Sequence, residues 1–127
     1  MFELTVEREF CAAHALSVAG QRETMHGHNW HVTVCIEGET LDSDGLLCDF
    51  HTVEEVLDEV ILPLRNADLH GIEPFTRVNP TAENVARHIA ESLAEVLDAS
   101  LAPAARVAWA SVTEAPGCTA RYRCPAR

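Results

Sequence analysis

Residues 2–14 have the sequence FELTVEREFCAAH, in which apolar side chains alternate with polar ones. The residues that share one parity are Phe2, Leu4, Val6, Phe10, Ala12 and His14. Successive side chains of a strand point to opposite faces of its sheet, so this alternation predicts a strand with one buried face. The last residue of the predicted strand, His14, has the parity of that buried face.

Three further strands are predicted in the same way. Residues 28–38 place His28, Trp30, Val32, Val34 and Ile36 on one parity. Residues 106–113 and 119–123 are two short segments of this type, and the Pro116-Gly117 turn lies between them. The polar residues 17–25, which separate the first two strands, form a loop long enough to carry function.

Two segments have apolar residues at helical spacing. The first runs from about Phe50 to the neighbourhood of Pro63, and the second follows Asn79 and Pro80, a favourable N-cap and first-turn pair, and runs to about Ala99. The residues between the two helices have no sustained period and are predicted to be a loop. The predicted order is therefore strand, strand, helix, helix, strand, strand, which is typical of the α+β class.

Composition excludes several classes of function. The chain has 127 residues, which predicts a single domain, and a net charge of −11, the opposite of what nucleic acid or an anionic membrane selects. All basic residues are arginines, so chemistry that needs a Schiff-base lysine is excluded. The five cysteines contain no Cys-x-x-Cys pair and no apolar run approaches a membrane-spanning length, which predicts a reduced, cytoplasmic protein without a membrane segment.

His26 and His28 flank Gly27 at the start of the second predicted strand, so both imidazoles project to the same side. An antiparallel hairpin would bring His14, at the end of the first strand, to the same place. Three neutral imidazoles arranged in this way are typical of a zinc site with an open fourth position. The alternative is that His26 and His28 are exposed strand-end residues and His14 is a buried residue with a hydrogen-bond partner.

Five segments resemble motifs of the 6-pyruvoyltetrahydropterin synthase and 6-carboxytetrahydropterin synthase family. They are Phe10-Cys11-Ala12-Ala13-His14, His26-Gly27-His28-Asn29-Trp30, Gly45 to Phe50, Asn79-Pro80-Thr81-Ala82-Glu83-Asn84 and Val112-Thr113-Glu114. The resemblance implies the tunnelling fold, in which an antiparallel four-stranded sheet carries two helices on one face and trimers close a barrel, usually within a homo-hexamer. It also implies that zinc is bound by His14, His26 and His28.

The same resemblance implies that Glu114 holds a pterin and that Thr81 and Glu83 line the pterin pocket. A carboxylate is a natural bidentate partner for the adjacent N–H donors on the 2-amino-pyrimidinone edge of a pterin. The alternatives are that Glu114 is a solvated charge at a strand end and that Glu83 interacts with the helix dipole.

One departure from the family pattern lies in the loop before His26. Family members place a cysteine four residues before this histidine, and here that residue is Arg22. Glu23 follows, and its Glu-x-x-His-Gly-His spacing resembles a branch that uses glutamate in place of the cysteine and cleaves the side chain of dihydroneopterin triphosphate to give 6-hydroxymethyldihydropterin. A carboxylate beside zinc can act as a general base. The alternative is that Glu23 is an exposed loop acid.

A second departure follows the first predicted helix, where the family has Leu-Asp-His. An ungapped alignment puts Arg65 and Asn66 at the Asp-His pair, and neither can act as a base at neutral pH. A gap in the alignment would bring Asp68 and His70 into that role. The alternative is that these two are ordinary loop residues.

The resemblance therefore implies a zinc-dependent lyase that acts on the side chain of 7,8-dihydroneopterin triphosphate or a related pterin. Glu23 is the predicted base, Asp68 and His70 are further candidates, and Arg22 or Arg65 could neutralise phosphate. Two alternatives stay open: the variant that yields 6-hydroxymethyldihydropterin, and a pterin-binding homologue that has lost the family reaction.

Overall fold

The computed structural model describes residues 1–126. Strand β1 (Phe2–His14) is followed by a small hairpin of two-residue strands, β2 (Ser17–Val18) and β3 (Gln21–Arg22), and then by the long strand β4 (His26–Gly38). β1 and β4 pair antiparallel over their whole length, from Phe2 opposite Gly38 to His14 opposite His26. This register brings the end of β1 beside the start of β4.

Two helices follow. Helix α1 (Phe50–Ile61) begins after Asp49, whose side chain accepts a hydrogen bond from the backbone N–H of His51, and a 3₁₀ turn that contains Pro63 continues it. Strand β5 (Ala67–Asp68) and a second 3₁₀ turn, Leu69–Gly71, lead toward helix α2 (Ala82–Leu101). The chain ends in a hairpin of strands β6 (Ala105–Ala115) and β7 (Cys118–Arg123).

The sheet has five strands in the order β5-β1-β4-β6-β7. β5 pairs parallel with β1, whereas the other neighbours are antiparallel, so the sheet is mixed. The predicted four-stranded antiparallel sheet is therefore wrong. The additional strand forms because Asn66 adopts a positive φ of 55° and its backbone N–H bonds to the carbonyl oxygen of Cys11 at 2.6 Å, which turns the following residues onto the edge of β1. The predicted order of six elements also lacked the two-residue strands β2, β3 and β5.

Both helices pack against the same face of the sheet, and the α+β class is confirmed. Val53 and Leu57 of α1 and Ile89 and Leu93 of α2 belong to one buried cluster together with Val6, Phe10, Trp30, Val32, Val34 and Ile36 of β1 and β4. These strand residues have the parity that the alternation predicts. Cys35 belongs to a separate small cluster with Ala108 and Trp109. Its neighbours on β4, Val34 and Ile36, belong to the cluster that faces the helices.

The start of α2 differs from the prediction. Asn79 was predicted to be the N-cap, but the N-cap is Thr81, whose hydroxyl accepts a hydrogen bond from the backbone N–H of Asn84. Asn79 instead bonds to both backbone groups of Ser17, at 2.9 and 3.1 Å. This long-range pairing ties the β2–β3 hairpin to the start of α2.

Neither helix within residues 1–126 combines the length and the apolar character that a membrane-spanning segment needs.

Candidate metal centre

His14, His26 and His28 meet at one end of the sheet, on the side that carries the helices. The antiparallel register places His14 opposite His26, and His28 has the same parity two residues further along β4. The ring centroids of the three imidazoles are 4.7 to 5.0 Å apart. One ligand atom from each histidine and one carboxylate oxygen of Glu114 all lie within 4.8 Å of one another.

Backbone carbonyl groups orient two of these imidazoles. Nδ1 of His14 lies 2.8 Å from the carbonyl oxygen of Pro80, and Nδ1 of His26 lies 2.8 Å from that of Thr24. A carbonyl oxygen can only accept a hydrogen bond, so each Nδ1 carries the proton and each neutral ring directs the lone pair of Nε2 into the centre. Such hydrogen bonds are the usual outer support of histidines that bind a metal.

The centre is closed on one side by Trp30. Its indole contacts the edges of His14 and His28 at centroid distances of 5.1 and 5.7 Å, and its Nε1–H bonds to the carbonyl oxygen of Ala12. His14 and Trp30 are completely buried. Burial lowers the pKa of His28, with Glu114 opposing this shift, and so favours the neutral imidazole that metals require.

The three histidines and Glu114 fit a divalent metal ion such as zinc. Nε2 of His14 and Nε2 of His28 are buried and have no hydrogen-bond partner among the described residues. Both nevertheless lie near Oε1 of Glu114, at 3.0 and 2.9 Å. In the neutral ring that donates from Nδ1 to Pro80, Nε2 of His14 carries a lone pair, and its approach to a carboxylate oxygen is then unfavourable without a cation between them. Ligand atoms around tetrahedral zinc are separated by roughly 3.3 Å, which is close to these distances.

The structure also brings Glu23 to this centre. Its Oε1 lies 3.7 Å from Nε2 of His26 and accepts a hydrogen bond from the backbone N–H of Leu16 at 2.9 Å. The backbone N–H of Glu23 in turn bonds to the carbonyl oxygen of Leu16. The β2–β3 hairpin therefore fixes the carboxylate at the rim of the centre, where its side chain stays 41% exposed.

Asp68 and His70 do not form a carboxylate–imidazole pair in the described structure. The carboxylate of Asp68 accepts a hydrogen bond from the backbone N–H of His70, not from its ring. The His70 imidazole turns toward β1, where its Nε2 accepts a hydrogen bond from the backbone N–H of Ala15 at 3.0 Å. Neither side chain belongs to the cluster around the three histidines.

Beside Glu114 lies an open cavity of about 380 Å³. It is lined by His28, Asn29, His31, Thr113, Glu114, Ala115 and Pro116. Thr81 and Glu83, the other predicted pocket residues, lie at the start of α2 and are not among its walls. The hydroxyl of Thr81 is engaged as the helix cap, and Glu83 is exposed in the first turn.

Three residues of the centre were missed by the sequence analysis as functional positions. Thr24 and Pro80 contribute only their backbone carbonyl groups, which leave no signal in side-chain chemistry. Trp30 could have been found, because it has the same strand parity as His28 and lies two residues after it.

Comparison with known proteins identifies the family. The sequence model of the family described as 6-pyruvoyl tetrahydropterin synthase matches residues 3–125. The chain therefore belongs to the 6-pyruvoyl tetrahydropterin synthase family, as its motifs predicted.

Two relatives show how the chain compares with individual members. It is 36% identical over 84 residues to the dihydroneopterin monophosphate aldolase of Pyrococcus furiosus, across 66% of this chain and 68% of that protein. It is 35% identical over 78 residues to the 6-pyruvoyl tetrahydrobiopterin synthase of Poecilia reticulata, across 60% of this chain and 53% of that protein. The match to the second relative thus spans about half of that protein's length.

Solved structures share the fold over nearly the whole chain. The 6-pyruvoyl tetrahydropterin synthase of Caenorhabditis elegans superposes with a TM-score of 0.80 at 24% identity and covers 98% of both chains. The Plasmodium vivax enzyme, solved as a variant in which a catalytic glutamate is replaced by alanine, superposes with a TM-score of 0.72 at 19% identity, across 95% of this chain and 96% of that one.

Proposed function

We propose that this chain is a zinc-dependent lyase that cleaves the side chain of a phosphorylated 7,8-dihydroneopterin and releases 6-hydroxymethyldihydropterin. His14, His26 and His28 bind the zinc ion, Glu23 is the general base and Glu114 holds the pterin ring. The observation that carries the proposal is the position of Glu23, whose carboxylate lies 3.7 Å from Nε2 of His26.

One comparison supports cleavage of the side chain, and a second supports a glutamate as a catalytic residue. A relative that is 36% identical is a dihydroneopterin monophosphate aldolase, an enzyme named for cleavage of such a side chain. In the structurally similar Plasmodium vivax enzyme, a glutamate is named as a catalytic residue. In this chain the family's cysteine position is Arg22, which cannot act as a base, whereas Glu23 stands next to it.

The cleavage balances without an oxidant or a reductant. Glu23 accepts the proton of the hydroxyl on the second side-chain carbon, and the bond between the first and second carbons breaks. A carbonyl forms on the second carbon, while the electron pair passes to the imine of the dihydropterin ring. The first carbon then regains a proton, which gives 6-hydroxymethyldihydropterin and a two-carbon aldehyde that carries the phosphate.

The remaining groups bind and orient the substrate. A zinc ion, when bound by the three histidines, supplies a Lewis acid next to the side-chain oxygens. Trp30 and the backbone carbonyls of Thr24 and Pro80 keep the imidazoles in place. Glu114 borders the 380 Å³ cavity and can accept two parallel hydrogen bonds from the pterin edge, which sets the position of the side chain.

The functional unit of this proposal is a single domain in a homo-hexamer. β5 pairs with β1 only at Ala12 and Ala13, so the rest of that edge of β1 is open. β7 forms the other edge of the five-stranded sheet. Long unpaired strand edges promote association, and pairing them between copies satisfies their backbone groups. The number six comes from the family resemblance.

Product analysis tests the proposal. The zinc-loaded protein is incubated separately with dihydroneopterin monophosphate and dihydroneopterin triphosphate, and the pterins are separated by chromatography. We expect 6-hydroxymethyldihydropterin from at least one of them. Formation of 6-carboxy- or 6-pyruvoyl-tetrahydropterin would favour the synthase activity of other family members, and binding without turnover would favour a homologue that has lost the reaction.

A further inference from the structure

A second cavity, of about 330 Å³, lies beside residues that support His14 and is not used by the groups described so far. Two of its wall residues also support the strand end that carries His14. Pro80 accepts the hydrogen bond from Nδ1 of His14, and His70 accepts one from the backbone N–H of Ala15. A ligand in this cavity would therefore be one residue away from His14, and Arg22 in its wall directly precedes Glu23 in the chain.

Arg22 lines this cavity and, like Arg65, Arg121 and Arg123, has no ion pair among the described residues. The chain has 20 acidic residues, and Arg8, Arg77, Arg87 and Arg106 each pair with a carboxylate. Within residues 1–126, Arg22 has no ion pair, although it is exposed on β3. Its guanidinium group, which carries five N–H donors, is therefore available for an anionic ligand.

His70 and Ser17 add neutral hydrogen-bonding groups to the wall. Since Nε2 of His70 accepts the backbone N–H of Ala15, the ring proton of the neutral imidazole is on Nδ1 and can be donated. The backbone of Ser17 is held on both sides by Asn79, which fixes the position of its hydroxyl. This arrangement makes His70 a hydrogen-bond donor instead of the proton acceptor that the sequence analysis considered.

Arg77 is a second cation in the wall, but an acidic neighbour restrains it. Its Nε and Nη2 both bond to Glu73, at 3.0 and 2.7 Å, and the hydroxyl of Thr76 bonds to the same carboxylate. These hydrogen bonds lower the pKa of Glu73, so the carboxylate stays charged at neutral pH. Nη1 of Arg77 is left for a ligand. A ligand would compete with Glu73 for Nε and Nη2.

We propose that this cavity binds the phosphate group at the end of the pterin side chain, with Arg22 as the main phosphate-binding residue. Arg77 and the Nδ1–H of His70 provide further donors. Arg65, the other arginine that the sequence suggested for phosphate, does not line the cavity. The inference rests on the proposed pterin chemistry for its substrate, whereas phosphate binding itself can be tested without a pterin.

The first experiment therefore uses inorganic phosphate. The zinc-loaded protein is treated with phenylglyoxal, which modifies arginines, in phosphate or in chloride of equal ionic strength, and the modified residues are mapped by mass spectrometry. We expect phosphate to slow modification of Arg22 several-fold and that of Arg77 less, with no effect on Arg87, the matched control on α2. Equal rates at Arg22 in both buffers would overturn the proposal.

The second experiment compares dihydroneopterin monophosphate with unphosphorylated dihydroneopterin by calorimetry, and every protein in it also carries Glu23→Gln so that turnover does not obscure binding. We expect the protein without further changes to prefer the phosphate ester by about tenfold or more, as a charge-assisted contact provides. Arg22→Gln should lose this preference and bind unphosphorylated dihydroneopterin normally, Arg87→Gln should retain it, and Glu73→Gln should increase it by releasing Arg77.

The two experiments separate the failure of this inference from that of the proposed function. An unchanged preference in Arg22→Gln would refute the phosphate site even if the enzyme is active. If neither pterin binds the protein without further changes, the proposed function and its substrate fail together. Protection of Arg22 by inorganic phosphate would then still establish an anion site. Absence of protection would refute the anion site together with the proposed function.

Discussion

Glu114 and His28 meet at the end of neighbouring strands, where Oε1 of the carboxylate lies 2.9 Å from Nε2 of the imidazole. The residue predicted to hold a pterin thus contacts the residues predicted to hold a metal. A pterin whose 2-amino edge is bound by Glu114 would lie beside the metal centre, with C6 and its side chain at the opposite end of the ring. The pterin pocket and the metal centre are in this respect one site, and a change on either side should affect the other.

The metal assignment predicts that His28→Ala binds far less zinc than the wild type. Loss of one of three imidazole ligands leaves an incomplete coordination sphere around the ion. Elemental analysis after dialysis measures the zinc content. His51→Ala is the matched control, because His51 is exposed on α1 and pairs with Asp49. Full retention of zinc by His28→Ala would refute the assignment.

Replacement of Glu114 by glutamine should weaken pterin binding strongly. Loss of one partner of a hydrogen-bonded pair that includes a charge costs about 2 kcal/mol or more, which corresponds to a loss of affinity of about 30-fold or more. Calorimetric titration of a reduced pterin into the zinc-loaded wild type and variant measures this loss, and the zinc content of both is determined in parallel. Equal affinities at equal zinc content would show that Glu114 does not hold the pterin.

The alternation in residues 2–14 predicted the central part of this site. In a strand, side chains of one parity share one face, so the pattern that identifies β1 and β4 also predicts that His14, His26 and His28 converge. The structure confirms that they are neighbours. Helix α1 was predicted within about two residues of its end, because its apolar spacing and Pro63 are local signals.

Other features depend on contacts between distant residues and could not be predicted. β5 has only two residues, too few for any period, and it forms because the backbone of Asn66 bonds to Cys11. Asparagine is a common N-cap residue, but the side chain of Asn79 bonds to the backbone of Ser17 instead. The position of the Glu114 side chain depends on a shift in the β6–β7 register between Thr113 and Ala115, which no strand pattern reveals.

Gly38 provides a test of how β4 packs against the residues that lead into β6. A methyl group at Gly38 would contact the backbone oxygen of Ala104 and lie 2.7 Å from Cδ1 of Leu47. Gly38→Ala should therefore lower the free energy of unfolding by about 1 to 3 kcal/mol through overpacking. In contrast, Gly71→Ala meets no atom within 4 Å and should change it by less than about 0.5 kcal/mol. Urea denaturation measures both, and similar values for the two variants would contradict this packing.

The open sheet edges predict an oligomer, and the family resemblance predicts six copies. Light scattering at micromolar concentration should give a mass close to six times the 13.9 kDa of one chain. A trimeric mass would still be consistent with pairing of the strand edges but would refute the hexamer. A monomeric mass would refute both.

Glu23 is the proposed base for cleavage of the pterin side chain. Loss of a positioned general base slows turnover by about 10²- to 10⁴-fold. Glu55, which is exposed on α1, provides the matched control for removal of one carboxylate charge. Both variants should retain the zinc content and the pterin affinity of the wild type, since Glu23 is not a predicted ligand for either.

The most direct measurement is the rate of 6-hydroxymethyldihydropterin formation from the phosphorylated dihydroneopterin by the zinc-loaded wild type, Glu23→Gln and Glu55→Gln. We predict that Glu23→Gln loses at least about 100-fold in rate while Glu55→Gln matches the wild type. If the wild type instead forms the 6-carboxy product efficiently and Glu23→Gln is unaffected, Glu23 is not the base and another group carries the proton, with Asp68 and His70 as the remaining candidates.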